Sequence, residues 1–203
     1  MGYARAGFEV VGVDINPQPH YPFEFHQMDA KYVTNAEEFD AVHASPPCQQ
    51  FTVLRNCRPG AEPRWPDLIE PTRQQLESFG LPYVMENVPG APMKNAIQLC
   101  GTSFGLEVRR HRLFELGGWF MMTPTCQHDL WEPGRWVGST NRPNGRTVAQ
   151  IGTYRIPLER QKAAMGVDWK VTLHELSEAI PPAYTEFIGH QLLQHLAPVG
   201  TQE

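Results

Sequence analysis

Residues 1–17 read MGYARAGFEVVGVDINP. A short helical turn rich in alanine and arginine ends at Gly7, and the apolar run 8–13 that follows ends on Asp14. A helix, a strand and an acid in this order are typical of the second half of a nucleotide-binding βαβ unit, in which the acid can hold a ribose. Such a unit carries a glycine-rich phosphate loop before the helix, where this chain has only Met1. The opening therefore predicts a nucleotide-binding unit that is truncated at its N-terminus.

The composition predicts one globular domain. The 203 residues are 41% hydrophobic, and this length is ample for one core and short for two. No segment has the layout of a signal peptide or the length of a membrane span, so we expect a soluble cytoplasmic protein. The net charge is −5, so any nucleic acid would have to bind a local basic patch. Proline and glycine cluster at 57–66 and 131–146, where we expect long functional loops.

Short apolar runs alternate with segments of helical spacing along the chain. Strands are predicted at residues 8–13, 23–27, 39–44, 82–85 and 107–116, and helices at 35–38, 67–79, 158–165, 173–179 and 183–196. This alternation predicts a parallel α/β sheet, in which ligands bind at the carboxyl ends of the strands. By that rule Asp14, Asp29 and the loops 45–50 and 86–90 fall on one edge of the sheet.

The loop after the third predicted strand holds a cysteine. Residues 45–51 read SPPCQQF, and the two prolines fix a rigid turn that holds Cys48 at the edge of the sheet. A thiolate is a strong nucleophile and is activated by nearby basic groups. The alternative is that Cys48 is a small core residue, which is the commoner fate of a single cysteine.

Residues 84–90, VMENVPG, place Glu86 directly after an apolar strand. A carboxyl group there is partly buried, and burial raises its pKa, so Glu86 is a candidate proton donor at neutral pH. The alternative is a solvated strand-end glutamate or one that caps the next turn, and Asn87 has the same alternative reading.

Four basic residues come together in the stretch 109–116, RRHRLFEL. On a strand, Arg110 and Arg112 share one face, and Arg109 and His111 share the other. Paired guanidinium groups suit a phosphate, a base edge or a carboxylate such as that of Glu86. The alternative is a solvated basic edge strand.

Residues 126–129, CQHD, contain two side chains of metal-ligand type, Cys126 and His128. Zinc takes four ligands, and the sequence offers no matching second pair. The four cysteines also form no C-x-x-C pair, so a disulfide framework is not expected. The sequence therefore predicts no metal site.

Three of these stretches together resemble the DNA cytosine-5 methyltransferases. They are PPCQ at 46–49, ENV at 86–88 and the R-x-R pair of Arg110 and Arg112. AGFEVVGVDINP at 6–17 resembles the segment that follows this family's loop for S-adenosyl-L-methionine (AdoMet). CGTSFGLEVRRHRLFEL at 100–116 resembles its short phage-type branch. The tail, AAMGVDW at 163–169 and LSEAIPPAYTEFIGHQLL at 176–193, resembles its last two motifs.

The resemblance implies a fold and a division of the chain. The fold is α/β, a Rossmann-like AdoMet-dependent methyltransferase sheet with helices on both faces, truncated at the N-terminus. Residues 1–116 form the AdoMet-binding and catalytic core, 117–155 a small irregular target-recognition region, and 156–203 helices that pack back on the core. The setting it implies is the cytoplasm of a bacterial or phage-infected cell.

The resemblance also implies roles in catalysis. Cys48 would add to C6 of a cytosine while Glu86 binds the N3 edge of the ring, so that C5 can take the methyl group of AdoMet. Arg112 would hold the base and Glu86, and Arg110 would orient the base or contact the DNA backbone. Pro47 and Asn87 would shape the loop. The target base is stacked inside a duplex, so it must be flipped out.

For the cofactor, the resemblance assigns the ribose hydroxyls to Asp14 and packing on the adenine to Ile15. Asp29, followed by Ala30, would bind the adenine amino group. Pro46 and Leu68 would lie near the methionine end.

The chain departs from the family pattern in three places. The F-x-G-x-G loop is missing, Val108 stands where a glutamine opens the arginine motif, and the region after Arg112 is small. NRPNGR at 141–146 and TYR at 153–155 are candidate phosphate contacts.

Two rival functions remain open. An amino-group methyltransferase shares S-P-P but has an aromatic residue in place of Cys48, and an inactive nucleic-acid-binding relative would fit the missing loop. An RNA cytosine is an alternative substrate, because the chemistry is the same.

Overall fold

The computed structural model describes residues 1–34, 36–51, 66–128, 149 and 151–197. The helices are α1 Gly2–Ala6, α2 Ile69–Ser78, α3 Leu158–Met165, α4 Leu173–Glu178 and α5 Pro182–Leu196, with 3₁₀ turns at Ala30–Tyr32, Gln49–Phe51 and Gly101–Phe104. The strands are β1 Val11–Asp14, β2 Glu24–Gln27, β3 Val42–Ala44, β4 Tyr83–Asn87, β5 Ile97–Leu99 and β6 Arg112–Gly117. Among the described helices, none has the length and apolar character needed to cross a bilayer.

The strands form two sheets. In the first, β1 and β2 are parallel, with Asp14 opposite Gln27. The second has the order β3-β4-β6-β5, with β3 parallel to β4 and with β6 antiparallel to both of its neighbours. The α/β prediction is confirmed in this coarse form, whereas the single parallel sheet is replaced by two sheets, one of them mixed. Antiparallel neighbours need no helical crossover, and the chain passes from β5 to β6 through only a 3₁₀ turn and a loop.

Strand β4 is the centre of the core. All five of its residues are buried, and their side chains alternate between two hydrophobic clusters. Val84 packs in the cluster of Phe114, Tyr184 and Ile188, on the side of α5. Met85 packs in the cluster of Ile69 and Leu76, on the side of α2. Helices therefore cover both faces of β4, and its carboxyl end places Glu86 and Asn87 away from bulk water.

The opening helix is held by the last one. The backbone at Gly2 runs so close to α5 that an added Cβ would lie 2.1 Å from Thr185 Oγ1. Gly7 ends α1 in the left-handed region, with φ of 110°, and the next amide, of Phe8, bonds back to the carbonyl of Tyr3. This cap uses the backbone of Phe8, so β1 begins at Val11 instead of at the predicted residue 8.

A buried ion pair joins α2 to the sheet. Arg73 and Glu115 are 1% and 3% exposed, and two guanidinium nitrogens, Nε and one terminal nitrogen, bond the carboxylate at 2.5 and 2.8 Å. The same carboxylate accepts the Lys94 amide at 2.7 Å and lies 3.3 Å from the Tyr83 hydroxyl. The pair fixes how α2 lies against β4 and β6.

Other predicted elements shift or fall outside the described residues. Strand β5 is not predicted, and β6 begins at Arg112 instead of at residue 107. The predicted helix at 35–38 is replaced by a turn at 37–38, Asn35 lying outside the described residues. The predicted loops at 57–66 and 131–146, with NRPNGR, lie almost entirely outside them.

Candidate active site

The loop that carries Cys48 is tied to the end of β4. Asn87 is fully buried, and its side-chain nitrogen donates to the carbonyl of Pro46 at 2.8 Å. Its side-chain oxygen accepts the amide of Val88 at 3.0 Å. Pro46 is buried, whereas Pro47 is exposed, and the carbonyl of Cys48 accepts the amide of Phe51 at 2.9 Å. Because β3 and β4 are parallel, the two strand ends meet, and Asn87 fixes the distance between their loops.

Glu86 forms a buried ion pair with Arg112. The glutamate is 7% exposed, and Arg112 Nε lies 3.0 Å from its Oε1. The antiparallel register of β4 and β6 makes this contact possible, since it sets Asn87 opposite Leu113. Burial raises the pKa of Glu86, against the opposing effects of Arg112, a hydrogen bond from Ser45, and Arg110. The carboxyl group is thus prepared to carry a proton closer to neutral pH than an exposed glutamate.

Cys48 lies within the electrostatic reach of this pair. Its side chain is half-buried, and burial raises the pKa of the thiol. The positive charge of Arg112 opposes that rise, and the negative charge of Glu86 adds to it. Cys48 is therefore a thiol in its resting state. The charge of Arg112 favours the thiolate, and the charge of Glu86 disfavours it.

Arg110 is positioned by the C-terminal helices. One terminal nitrogen of its guanidinium donates to the carbonyl of Ser177 at 2.5 Å, and the hydroxyl of Tyr184 donates to the carbonyl of Arg110 at 2.6 Å. Burial, followed by the nearby charge of Arg112, lowers the pKa of Arg110 to about 10. Its Nε is buried and makes no hydrogen bond to the residues that the structure describes.

An open cleft runs beside the arginines. Its lining consists of Pro89, Val108, Arg109, Arg110, His111, Arg112, Ala149 and Ile151. Arg110 and Arg112 act on Glu86, while Arg109 and His111 contact His128 on the other side of the chain. This alternation agrees with the prediction from RRHRLFEL, although the regular strand starts only at Arg112. A cationic cleft next to a buried carboxyl group suits a polar ring attached to a phosphate backbone.

The predicted absence of a metal site rested on the lack of a second ligand pair. The fold supplies that pair: Cys100 and His111 lie beside Cys126 and His128, with all four ligand atoms within 4.8 Å of one another. The premise was therefore wrong. No short spacing links Cys100 to His111 in the sequence, so the pair emerges only from the sheet.

On the first sheet, Asp14 is the last residue of β1, as predicted, and Ile15 follows it directly. Asp14 Oδ1 accepts the amide of Asn16 at 2.8 Å, and Oδ2 lies 3.2 Å from Gln18 Nε2. Ile15 is 61% exposed, and Val13 and Met28 are also exposed for apolar residues. The carboxyl ends of β1 and β2 therefore present a carboxylate beside an uncovered apolar surface.

Asp29 lies two residues beyond the end of β2. Its Oδ1 accepts the amide of Lys31 at 3.1 Å, which caps the 3₁₀ turn that begins at the exposed Ala30. Its Oδ2 pairs with Lys31 Nζ at 2.7 Å. Hydrogen bonds from the side chain and the backbone of Lys31 lower the pKa of Asp29. Asp29 is thus an ionised acceptor next to Asp14, whose carbonyl accepts the amide of Met28 at 3.0 Å.

Helix α2 links the two groups of predicted residues. Leu68 is half-buried and immediately precedes α2. From the same helix, Gln75 Nε2 donates to the carbonyls of Ala30 and Val33 at 2.8 and 3.1 Å. The helix therefore reaches from the core of β4 to the turn after Asp29.

Several residues that shape the site were not singled out from the sequence. Ser45 bonds Glu86, and Ser177 and Tyr184 hold Arg110. Ser45 adjoins PPCQ and was within reach of motif reasoning. Ser177 and Tyr184 follow Arg110 by 67 and 74 residues, and no local pattern marks them.

The fold matches a solved structure, a protein provisionally described as a DNA modification methyltransferase and encoded within a prophage of E. coli. The two chains share 15% sequence identity with a TM-score of 0.59, and the match covers 96% of this chain and 94% of that one. At this identity the match shows that the two chains share a fold. No protein-family model matches the chain, and a search of curated proteins gives no significant match.

Proposed function

We propose that the protein transfers a methyl group from AdoMet to C5 of a flipped-out cytosine in DNA, with Cys48 as the covalent nucleophile. The observation that carries the proposal is one cluster, in which Cys48, the buried Glu86 and Arg112 act on one another at the ends of β3 and β4 and the start of β6. The methyltransferase-like fold supports it at a coarser level.

The nucleophilic step belongs to Cys48 and Glu86. C5 of cytosine is a poor nucleophile, and addition of the Cys48 sulfur to C6 makes it an enamine carbon. Addition of a thiolate to C6 pushes an electron pair onto the ring, and a proton that Glu86 delivers to N3 neutralises the resulting negative charge. The raised pKa of Glu86 keeps the proton available. The charge of Arg112 favours the Cys48 thiolate at the moment of attack.

Two arginines orient the base. Arg112 already pairs with Glu86, so it would hold the carboxyl group in position for the cytosine edge. Arg110 lines the open cleft, and its guanidinium would donate to the base or to its phosphate. Pro47 and Asn87 would shape the loop that carries Cys48, since Asn87 bonds the carbonyl of Pro46.

The ends of β1 and β2 fit the adenosine part of AdoMet. Ile15 offers an exposed apolar face, and Asp14 and Asp29 offer carboxylate acceptors for ribose hydroxyls and for the adenine amino group. Ala30 adjoins this surface, and Pro46 and Leu68 lie toward the catalytic loop. When bound, AdoMet would supply an electrophilic methyl group to the enamine carbon and leave as S-adenosylhomocysteine. Loss of the C5 proton and release of Cys48 would then restore the ring.

The main rival is an amino-group methyltransferase, which needs no covalent nucleophile. Such an enzyme stacks an aromatic side chain on the flipped base at the position that Cys48 occupies. Cys48 and its neighbour Gln49 provide no such ring, and the buried Glu86–Arg112 pair next to them suits protonation of a cytosine ring. These two observations favour C5 chemistry over amino-group chemistry.

Nucleoside analysis of DNA tests the proposed product. The protein is expressed in a host without DNA methylation of its own, and the DNA and RNA are digested and analysed by mass spectrometry. We expect 5-methylcytosine in DNA with the native chain and none with Cys48→Ser. N4-methylcytosine or N6-methyladenine would support the amino-group alternative. If the protein adds 5-methylcytosine to RNA and none to DNA, the substrate is RNA. No methylated nucleoside from a folded protein would support the inactive relative.

A further inference from the structure

We propose that Cys100, His111, Cys126 and His128 form a structural zinc site. The four ligand atoms, two Sγ and two Nε2, lie within 4.8 Å of one another. Cys100 follows β5, His111 precedes β6, and Cys126 and His128 belong to the segment beyond β6. Three separate parts of the chain thus bring two thiols and two imidazoles to one point.

The spacing of these atoms matches a tetrahedral centre. With Zn–S of about 2.3 Å and Zn–N of about 2.0–2.1 Å, a tetrahedron separates sulfur from nitrogen by about 3.6 Å and two nitrogens by about 3.3 Å. Cys100 Sγ lies 3.3 Å from His128 Nε2, and Cys126 Sγ lies 3.6 Å from His111 Nε2. The two Nε2 atoms are 3.2 Å apart. A disulfide between the cysteines would leave the convergence of both imidazole nitrogens without a cause.

The donor set selects zinc and a structural role. Two thiolates and two neutral imidazoles balance the charge of a divalent ion and fill all four positions of a tetrahedral site, which leaves none open for a substrate. The cluster also lies on the side of His111, away from the side on which Arg110 and Arg112 act on Glu86. The ion would therefore support the active site without entering the reaction.

Outer contacts hold the ligands in place. Thr102 is fully buried, and its hydroxyl lies 3.2 Å from Cys100 Sγ and accepts the amide of Gln127 at 3.3 Å. Arg109 donates to the carbonyl of His128 at 3.4 Å. Such second contacts around the ligands are the usual companions of a built metal site.

The position of His111 gives the ion a defined mechanical effect. His111 lies between Arg110 and Arg112, so a bond from its Nε2 to the ion fixes the backbone that carries both arginines. Cys126 and His128 anchor the segment beyond β6 to the same point. The ion would thereby join the sheet to the start of the predicted target-recognition region.

Metal analysis of the purified, reduced protein tests the site. We expect about one zinc ion per chain by mass spectrometry after dialysis against metal-free buffer, and loss of that ion in Cys126→Ser and His128→Ala. Cys126 is exposed, so its substitution should leave the core folded, which circular dichroism checks. Cys48→Ser is the matched control and should retain the zinc.

Cobalt provides a readout that does not depend on the variants. Titration of metal-free native protein with Co²⁺ should give the intense visible absorption of a tetrahedral ion and a thiolate-to-cobalt charge-transfer band, both removed by added zinc. Folded, reduced protein that binds neither ion would overturn the proposal. So would a Cys100–Cys126 disulfide that persists under the reducing conditions of the cytosol.

Discussion

At the scale of single residues, Glu86 shows how the fold sets the chemistry of a group. The apolar run before it predicts a strand end, where a partly buried carboxyl group and a solvated one were both open. In the structure Glu86 is buried, and burial raises its pKa. The hydrogen bond from Ser45 was not predicted, because it depends on the path of the loop after β3. Local pattern therefore places Glu86 at a strand end, and tertiary contacts determine its burial and its partners.

The raised pKa of Glu86 has a consequence for stability. The folded protein holds the proton on Glu86 to higher pH than the unfolded chain does, because the ordinary pKa of a glutamate is 4.5. The resulting stabilisation is complete below pH 4.5 and is lost as pH rises through the raised pKa. Urea unfolding across this range should show the native chain losing free energy of unfolding relative to Glu86→Gln. Glu9→Gln, at an exposed position, is the control, and its free energy of unfolding should follow the same pH dependence as that of the native chain.

A flat difference between the native chain and Glu86→Gln would show that burial does not govern this carboxyl group. In the methylation assay, the same variant should lose about 10²–10⁴-fold in kcat, the range typical of a general acid. Activity close to that of the native chain would remove Glu86 from proton transfer.

At the scale of elements, the C-terminal helices are what place Arg110. The bounds of α3 match the prediction at both ends, and those of α4 and α5 match within one residue, because their apolar positions recur with helical spacing and nearby Gly166 and Pro181 mark boundaries. Their contacts with Arg110 were not predicted, since 67 and 74 residues separate the partners. Strand β5 was missed because three residues show no period.

Removal of one hydroxyl tests how the helices position Arg110. In Tyr184→Phe the buried carbonyl of Arg110 loses its donor, so the free energy of unfolding should fall by about 1–3 kcal/mol. Displacement of the guanidinium should also lower kcat, by up to about 100-fold. Thermal and urea unfolding and initial rates check both effects. Tyr154→Phe, at a residue that is 95% exposed, removes a hydroxyl from the same kind of ring and should change neither quantity.

The ion pair of Arg73 and Glu115 makes a separate prediction for the packing of α2. Glu115→Gln removes the charged partner of Arg73 on β6 but leaves its ion pair with Glu70, so the free energy of unfolding should fall by about 1–3 kcal/mol. The double variant Arg73→Met with Glu115→Leu removes both charges and should be more stable than Glu115→Gln. If the double variant is less stable than Glu115→Gln, the attraction between the two charges contributes more to stability than their burial costs.

At the scale of the whole molecule, the carboxyl ends of two parallel strand pairs define the proposed site. The rule that ligands bind at such ends predicted from the sequence that Asp14, Asp29, Cys48 and Glu86 share one edge of a sheet, whereas the structure divides them between two sheets. The division into two sheets and the antiparallel position of β6 could not be predicted, because strand order depends on long-range pairing. Contacts between distant segments, such as His20 with Glu175 at 2.9 Å, connect the first sheet to the C-terminal helices.

The most direct test of the account is covalent capture of Cys48. The protein is incubated with AdoMet and with duplex DNA in which every cytosine carries fluorine at C5, which removes the need to know the target sequence. Fluorine takes the place of the C5 proton and cannot leave as a cation, so Cys48 is not eliminated and the adduct should persist as a band of lower mobility on a denaturing gel. We expect this band with the native chain and not with Cys48→Ser. An adduct that survives Cys48→Ser, or none from a chain that methylates ordinary DNA, would contradict the account.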